Sequence, residues 1–248
     1  MKILSSLIFV FVFCVSCTTN MFEPLKRSLN NRPYGYKAIK DPTGSAPSEI
    51  VDKFEVRPGD CAVDVGWSDC ANDRERSELK SAVVSGEMWA AWSIFLPADY
   101  PVIYPVKTAL GQFHRRQGHV VWMFQNQQGG YYVDNQAFGF TTELKKILTD
   151  NQMRARWNHI LVHVKWSHKN DGFFKVYVNG SDKASYSYSG ATKSANNQVY
   201  FKYGVYRSFM SRRSGPEPTQ IVYYDDVIAA RSCSEATNKF NCDEIAGN

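Results

Sequence analysis

The chain has 248 residues, a formal net charge of +5, and 44% hydrophobic and 14% aromatic residues. That length and hydrophobic fraction suit one large β-rich domain, or two small ones, with a buried core. The mild positive charge fits a polyanionic partner, but no basic helix, zinc-ligand spacing or RNA-binding aromatic motif accompanies it, which argues against nucleic acid.

In chain order, Met1-Lys2 gives a positive start and residues 3–15 form a nearly unbroken apolar run. The run is too short to span a bilayer and suits a signal peptide over residues 1–16. It ends in Val15-Ser16-Cys17, which resembles the bacterial lipoprotein signal, with Cys17 as the lipidated first residue. Cys14 departs from that pattern, where Leu is usual, and the alternative is an ordinary secretory signal. Either way the mature protein is expected to be exported. With Thr18 after the cysteine, an anchor would sit in the outer membrane of a Gram-negative cell. Residues 17–48, with Pro33, Gly35, Pro42, Gly44 and Pro47 and little periodicity, read as a tether and an approach.

Residues 49–248 read as one folded domain dominated by strands. Strands are expected over residues 51–57, 87–96, 106–114, 120–126, 131–133, 159–166, 173–178, 199–206 and 221–230. Asn170-Asp171-Gly172 and Asn179-Gly180 are hairpin signals. Only residues 143–153 suggest a helix. Many strands at regular spacing predict an all-β, two-sheet β-sandwich of jelly-roll, concanavalin-like type. Residues 208–219 form a long loop that either overhangs a groove or is simply solvated.

Export favours disulfides. Cys61, Cys70, Cys233 and Cys242 admit three pairings. The equal spacing within 61/70 and 233/242 favours the local pairs Cys61–Cys70 and Cys233–Cys242. Among these four, with Cys14 and Cys17 set aside, no Cys-x-x-Cys or accompanying His spacing points to a metal.

Three segments carry chemistry: Arg76-Ser77-Glu78-Leu79, Gln112-Phe113-His114, and Tyr200-Phe201-Lys202-Tyr203-Gly204-Val205-Tyr206. In a strand, residues i and i+2 share a face. Arg76 then sides with Glu78, Gln112 with His114, and Tyr200 with Lys202 and Tyr206. Lining one groove, these groups suit proton removal beside a carboxylate. Such an elimination needs the carboxylate neutralised, a base for the C5 proton, and an acid for the leaving O4. Arg76 can bind the carboxylate bidentately, and Gln112 can donate to it without adding charge. His114 can take or shuttle a proton. Tyr206 can act as acid, and as base if neighbouring cations lower its pKa. Arg74, Lys202, Tyr200 and Arg115 are candidate substrate-binding residues along the same basic track. Taken singly, Arg76 and Glu78 could be an ordinary surface pair.

The series Arg-Ser-Glu-Leu, Gln-x-His and Tyr-Phe-Lys-x-Gly-x-Tyr resembles the motifs of jelly-roll alginate lyases. Stretches such as Asp73-Arg74-Glu75-Arg76-Ser77-Glu78, Trp92-Ser93-Ile94-Phe95-Leu96-Pro97 and Tyr223-Tyr224-Asp225-Asp226-Val227 are similar to relatives that include glucuronan lyase and heparin lyase I. The resemblance covers roughly residues 50–232. It implies a concave sheet holding an acidic polysaccharide, and Arg76, Gln112, His114 and Tyr206 as the active site. The chain departs at Phe113, Tyr203 and Arg207. In some members the resemblance also implies a structural calcium ion; Asp226, beside Asp225, is the candidate ligand, and the chemistry itself requires no cofactor.

The expected protein is a monomeric polysaccharide lyase acting on a β-1,4-linked polyuronate, glucuronan-like first and alginate second, anchored to a membrane or secreted. The rival is a non-catalytic carbohydrate-binding lipoprotein. A glycoside hydrolase would need two carboxylates across the bond, and no Glu-x-Asp-x-x-Glu strand supplies them. His163 and Lys165 alternate with core residues and fall on an outer sheet face. His119 is separated from His114 by the basic turn and stays outside the catalytic set.

Overall fold

The computed structural model describes residues 19–196, 198–215 and 217–247. The expected signal peptide and the lipidation site Cys17 lie outside the described residues. The strands, in chain order, begin with β1 (Lys26–Ser28), β2 (Tyr36–Lys40), β3 (Ile50–Val56), β4 (Val63–Asp64), β5 (Trp67–Ser68), β6 (Arg74–Val84), β7 (Gly86–Phe95) and β8 (Lys107–Arg115). They continue with β9 (Val120–Asn126), β10 (Gly130–Asn135), β11 (Glu143–Thr149), β12 (Trp157–Trp166), β13 (Phe173–Val178), β14 (Tyr186–Ser189), β15 (Val199–Ser208) and β16 (Gln220–Ala230).

Two antiparallel seven-stranded sheets face each other as a jelly-roll sandwich. The first runs β1-β6-β15-β8-β9-β10-β11 and the second β14-β13-β12-β7-β16-β3-β2, while β4 and β5 pair as a separate hairpin. Strand alternation sends every second side chain inward. On β15, Phe201, Tyr203 and Val205 are buried in the core between the sheets. Rings dominate that core: Trp122 lies flat on Phe174 of the opposite sheet at 3.9 Å, and Phe201 packs against Trp92 at 5.1 Å.

Two expectations need correction. Residues 143–149 form strand β11, and only Asp150–Met153 make one helical turn, α1. The spacing of Leu144, Ile147 and Leu148 fits a helix face, but β10 offers an unpaired edge that β11 closes in register from Gly130↔Thr149 to Asn135↔Glu143. Pairing overrides local preference here. Residues 19–48 are more than a tether: β1 extends the first sheet, β2 the second, and Phe22 is fully buried on Phe201 at 5.0 Å.

The cysteines pair as Cys61–Cys70 and Cys233–Cys242. The second disulfide joins helices α2 (Cys233–Ala236) and α3 (Cys242–Gly247). They cap the outer face of the second sheet, where Phe240 and Ile245 pack with Trp89, Leu161 and Tyr177. His163 lies on that same outer face, stacked on Trp89 at 3.7 Å. Among the described residues no helix is long and apolar enough to cross a membrane.

Candidate active site

A groove of about 610 Å³ crosses the outer face of the first sheet. The order β6-β15-β8 brings the three motif segments side by side. In register, Tyr206 faces Arg76 across the β15–β6 ladder, while Tyr200 faces His114 and Lys202 faces Gln112 across the β15–β8 ladder. Arg74, Arg76, Gln112, His114, Tyr200, Lys202 and Tyr206 all line the groove. The glycine of the third segment is required by geometry. Gly204 has φ +129°, and a Cβ there would run into the Ser77 carbonyl oxygen and approach Phe54 Cδ1 to 2.8 Å. Its conformation accompanies the register shift between Tyr203 and Tyr206 and lets β15 press against β6.

One buried carboxylate gathers the donors. Glu78 is 3% exposed. Its Oε1 accepts from Gln112 Nε2 at 2.6 Å; its Oε2 accepts from Lys202 Nζ at 3.1 Å and Arg76 Nη1 at 3.2 Å. Burial works against its charge, yet Lys202, Arg76 and the Gln112 amide together hold the carboxyl below the usual range. Arg76 and Glu78 are therefore not a surface pair. A second acid, Asp69, takes Arg76 side-on, with Nε–Oδ2 at 2.7 Å and Nη2–Oδ1 at 2.5 Å. Against burial, these two carboxylates keep the guanidinium firmly charged. A guanidinium has five N–H donors; three are engaged here, which leaves two for a ligand.

The two candidate proton-handling groups, His114 and Tyr206, line the same groove. His114 Nδ1 lies 2.7 Å from the Arg115 carbonyl oxygen. A carbonyl only accepts, so Nδ1 carries the hydrogen and the lone pair of the neutral ring is on Nε2. Burial, reinforced by the Lys202 ammonium, pushes the His114 pKa down to about 4. Burial also pushes Lys202 down to about 8, against the pull of Glu78. Tyr206 moves the other way. Its burial outweighs the opposing pull of Arg76 and Arg74, so its pKa is raised and the phenol is protonated at neutral pH. The condition for its acting as a base, a pKa lowered by neighbouring cations, is not met at rest. Tyr200, 5.4 Å from the His114 ring, is raised to about 12, mainly by burial and then by Glu78.

Arg115 is not brought into the groove: its guanidinium folds over the β8–β9 turn and donates to Ser194 Oγ at 2.7 Å. His119, set aside on sequence, does line the groove, together with Asp64, Val65, Trp67, Lys80, Lys107, Gln136 and Phe209. Asp69 and Phe209 belong to loops and Trp67 to the two-residue strand β5, segments too short for periodicity, and nothing in their spacing marks them. The long loop does overhang one end through Phe209, whose ring lies between Arg74 at 4.2 Å and Arg212 at 4.1 Å. Arg207 anchors that loop from within. It is fully buried and donates to Gln220 Oε1 at 2.9 Å, Glu75 Oε2 at 3.0 Å and the Pro218 carbonyl at 2.5 Å.

Asp226 sits on the second sheet's β16, away from the groove, with φ +51°. Calcium takes six to eight oxygens. The neighbouring Asp225 carboxylate is engaged by the Ser48 amide at 2.7 Å, Ser48 Oγ at 2.9 Å and the Asp226 amide at 2.8 Å. Among the described residues no three acidic, histidine or cysteine side chains gather to hold a metal.

The family model described as polysaccharide lyase matches residues 19–228. A search of the curated proteins found no match. Among solved structures, the chain is similar to an endo-β-1,4-glucuronan lyase from the fungus Trichoderma reesei, with 15% identity and a TM-score of 0.67 over 88% of this chain and 94% of that one. It is similar to alginate lyase PA1167 from Pseudomonas aeruginosa, with 14% identity and a TM-score of 0.55 over 81% and 87% of the two chains. The cellulose induced protein Cip1 follows with 12% identity and a TM-score of 0.53 over 86% and 96%. At these identities the likeness fixes the fold and leaves the substrate open.

Proposed function

The chain belongs to the polysaccharide lyase family, and from that premise we propose that it cleaves a β-1,4-linked polyuronate by β-elimination. The observation that carries this reading is the gathering of Arg76, Gln112 and Lys202 on one buried carboxylate, Glu78, in a groove that also holds His114 and Tyr206.

The two N–H groups left on Arg76, the second N–H of Gln112 and the free Nζ–H groups of Lys202 receive the uronate carboxylate. In the buried centre the charges of Arg76 and Lys202 are balanced by Asp69 and Glu78. The carboxylate is therefore met by aimed donors more than by surplus charge. Such donors strengthen their hold as charge builds on the carboxylate in the enolate-like transition state. His114 Nε2 takes the C5 proton, since the ring is neutral above about pH 4. Tyr206, which rests protonated, gives its proton to the departing O4. The C4–O4 bond breaks as the C4=C5 double bond forms. Arg74, Lys80 and Lys107 on the groove wall attract the rest of the polyanion.

Glucuronan is placed first and alginate second. The reading draws on the sequence motifs and on the longer overlap with the glucuronan lyase. The test is ultraviolet absorbance during parallel incubation with glucuronan, alginate and heparin. Elimination creates an absorbing unsaturated uronate, and hydrolysis does not. A rise with one polymer names the substrate class. Binding without any rise favours a carbohydrate-binding protein.

A further inference from the structure

The disulfide-closed segment from Cys61 to Cys70 carries the β4–β5 hairpin and, beside Cys70, Asp69. Asp69 is fully buried and does not line the groove. Both of its carboxylate oxygens are nevertheless aimed at Arg76, and Oδ1 also accepts from Trp67 Nε1 at 2.9 Å. Its backbone is held on both sides. The Asp69 N–H donates to the Ala62 carbonyl at 2.8 Å, and its carbonyl accepts from the Arg74 N–H at 2.9 Å. Cys61 and Cys70 flank this clasp directly: one precedes Ala62 and the other follows Asp69.

We propose that Asp69 is a positioning residue for Arg76, and that the Cys61–Cys70 bond is the clamp that holds it there. The proposal rests on the reading of Arg76 as the group that receives the uronate carboxylate. Arg76 has a long side chain with several rotatable bonds, and a single bond of 3.2 Å to Glu78 does not define the plane of its guanidinium. The side-on contact with Asp69 does define it, because two parallel N–H···O bonds fix both direction and rotation. The remaining N–H groups are then oriented before the polymer arrives, which is what electrostatic preorganisation requires. The disulfide closes a short loop and so limits how far Asp69 can retreat when the groove is empty.

The experiment compares Asp69→Asn, the double variant C61S/C70S and the control C233S/C242S, whose disulfide lies on the far face of the second sheet. Asp69→Asn keeps the shape but turns an N–H of its own toward the guanidinium. The readouts are kcat and KM on the cleaved polyuronate, and the nuclear magnetic resonance signal of the Arg76 Nε–H. Expected are a slowly exchanging Arg76 signal in the native protein and its loss in both hairpin variants. A fall in kcat of about 10²-fold for Asp69→Asn accompanies it, as displacement of a positioned group by an ångström would give. KM is expected to change less than kcat, and C233S/C242S to turn over like the native protein. An Arg76 signal that survives Asp69→Asn, or kcat within about twofold of native in both hairpin variants, overturns the proposal. If Asp69→Asn does not fold, C61S/C70S carries the test, since it leaves every partner of Arg76 unsubstituted. If the native protein cleaves no polyuronate, the lyase reading fails by itself. The Arg76 signal, read with the affinity for a uronate oligomer, then decides the positioning in place of kcat.

Discussion

The guanidinium carbon of Arg76 lies 4.3 Å from the centre of the Tyr206 ring, as a cation–π contact within the groove. The contact places the phenol over the guanidinium, so in the proposed mechanism one side chain would meet both the group that binds the carboxylate and the leaving oxygen. It also pulls the phenol toward ionisation, but burial wins and the hydroxyl keeps its proton.

Tyr206→Phe removes that hydroxyl and keeps the ring on Arg76. Turnover is expected to fall by about 10³-fold, within the range for loss of a general acid, while polymer affinity stays within a few fold. Absorbance kinetics and a binding isotherm on the same polymer separate the two. Unchanged turnover would remove Tyr206 from the mechanism.

The pH profile follows from two groups. As pH rises through about 4, His114 gives up its proton and becomes a base. As pH rises through about 8, Lys202 loses the proton that makes it a cation. Activity is therefore expected to climb on the acid side, hold between the two values, and decline on the alkaline side. A kcat/KM profile measured across both limbs checks this. An acid limb near the ordinary histidine value would mean that His114 is not the base.

Glu78→Gln tests the gathering of donors. Without the carboxylate, Lys202 loses the partner that raises its pKa, so its proton leaves below about 8 and the alkaline limb moves toward lower pH. Leaving Lys202 and Arg76 without this buried counter-charge is also expected to destabilise the fold by about 3 kcal/mol. Denaturant titration reads the second effect and the pH profile the first. An alkaline limb that stays in place would show that Lys202 is not the group responsible for it.

Gly204→Ala addresses the strand geometry beneath the site. The position has φ +129°, and the added methyl meets the Ser77 backbone. The substitution is expected to cost at least about 2 kcal/mol, seen as a lower melting temperature, with activity lost in the surviving folded fraction. A melting temperature equal to that of the native protein would contradict the close β6–β15 approach.

Much of the strand pattern was legible from alternation and turn residues. β9 and β13 stand at the expected bounds, and both disulfides follow from spacing. The sequence misled at β11, where apolar spacing imitates a helix while the open edge of β10 decides the outcome. It also misled before residue 49, where a stretch rich in turn residues still supplies two edge strands and the buried Phe22. Edge strands are short and their pairing is set by the partner, so they leave little periodic trace.

Within the candidate site the division is sharper. That Tyr200, Lys202 and Tyr206 share a face is a local property of β15, because side chains alternate along any strand. The sequence by itself therefore determined the groove-facing set on each motif strand. Only the tertiary structure decided that Glu78 would tie Arg76, Gln112 and Lys202 together, that Asp69 would reach Arg76 from a disulfide-closed loop, and that Arg115 would turn away. The same holds for the protonation states, in which His114 is driven down and Tyr206 up by burial. Those outcomes depend on which distant strands become neighbours and on how much water they exclude. Both are collective results of packing that no local pattern encodes.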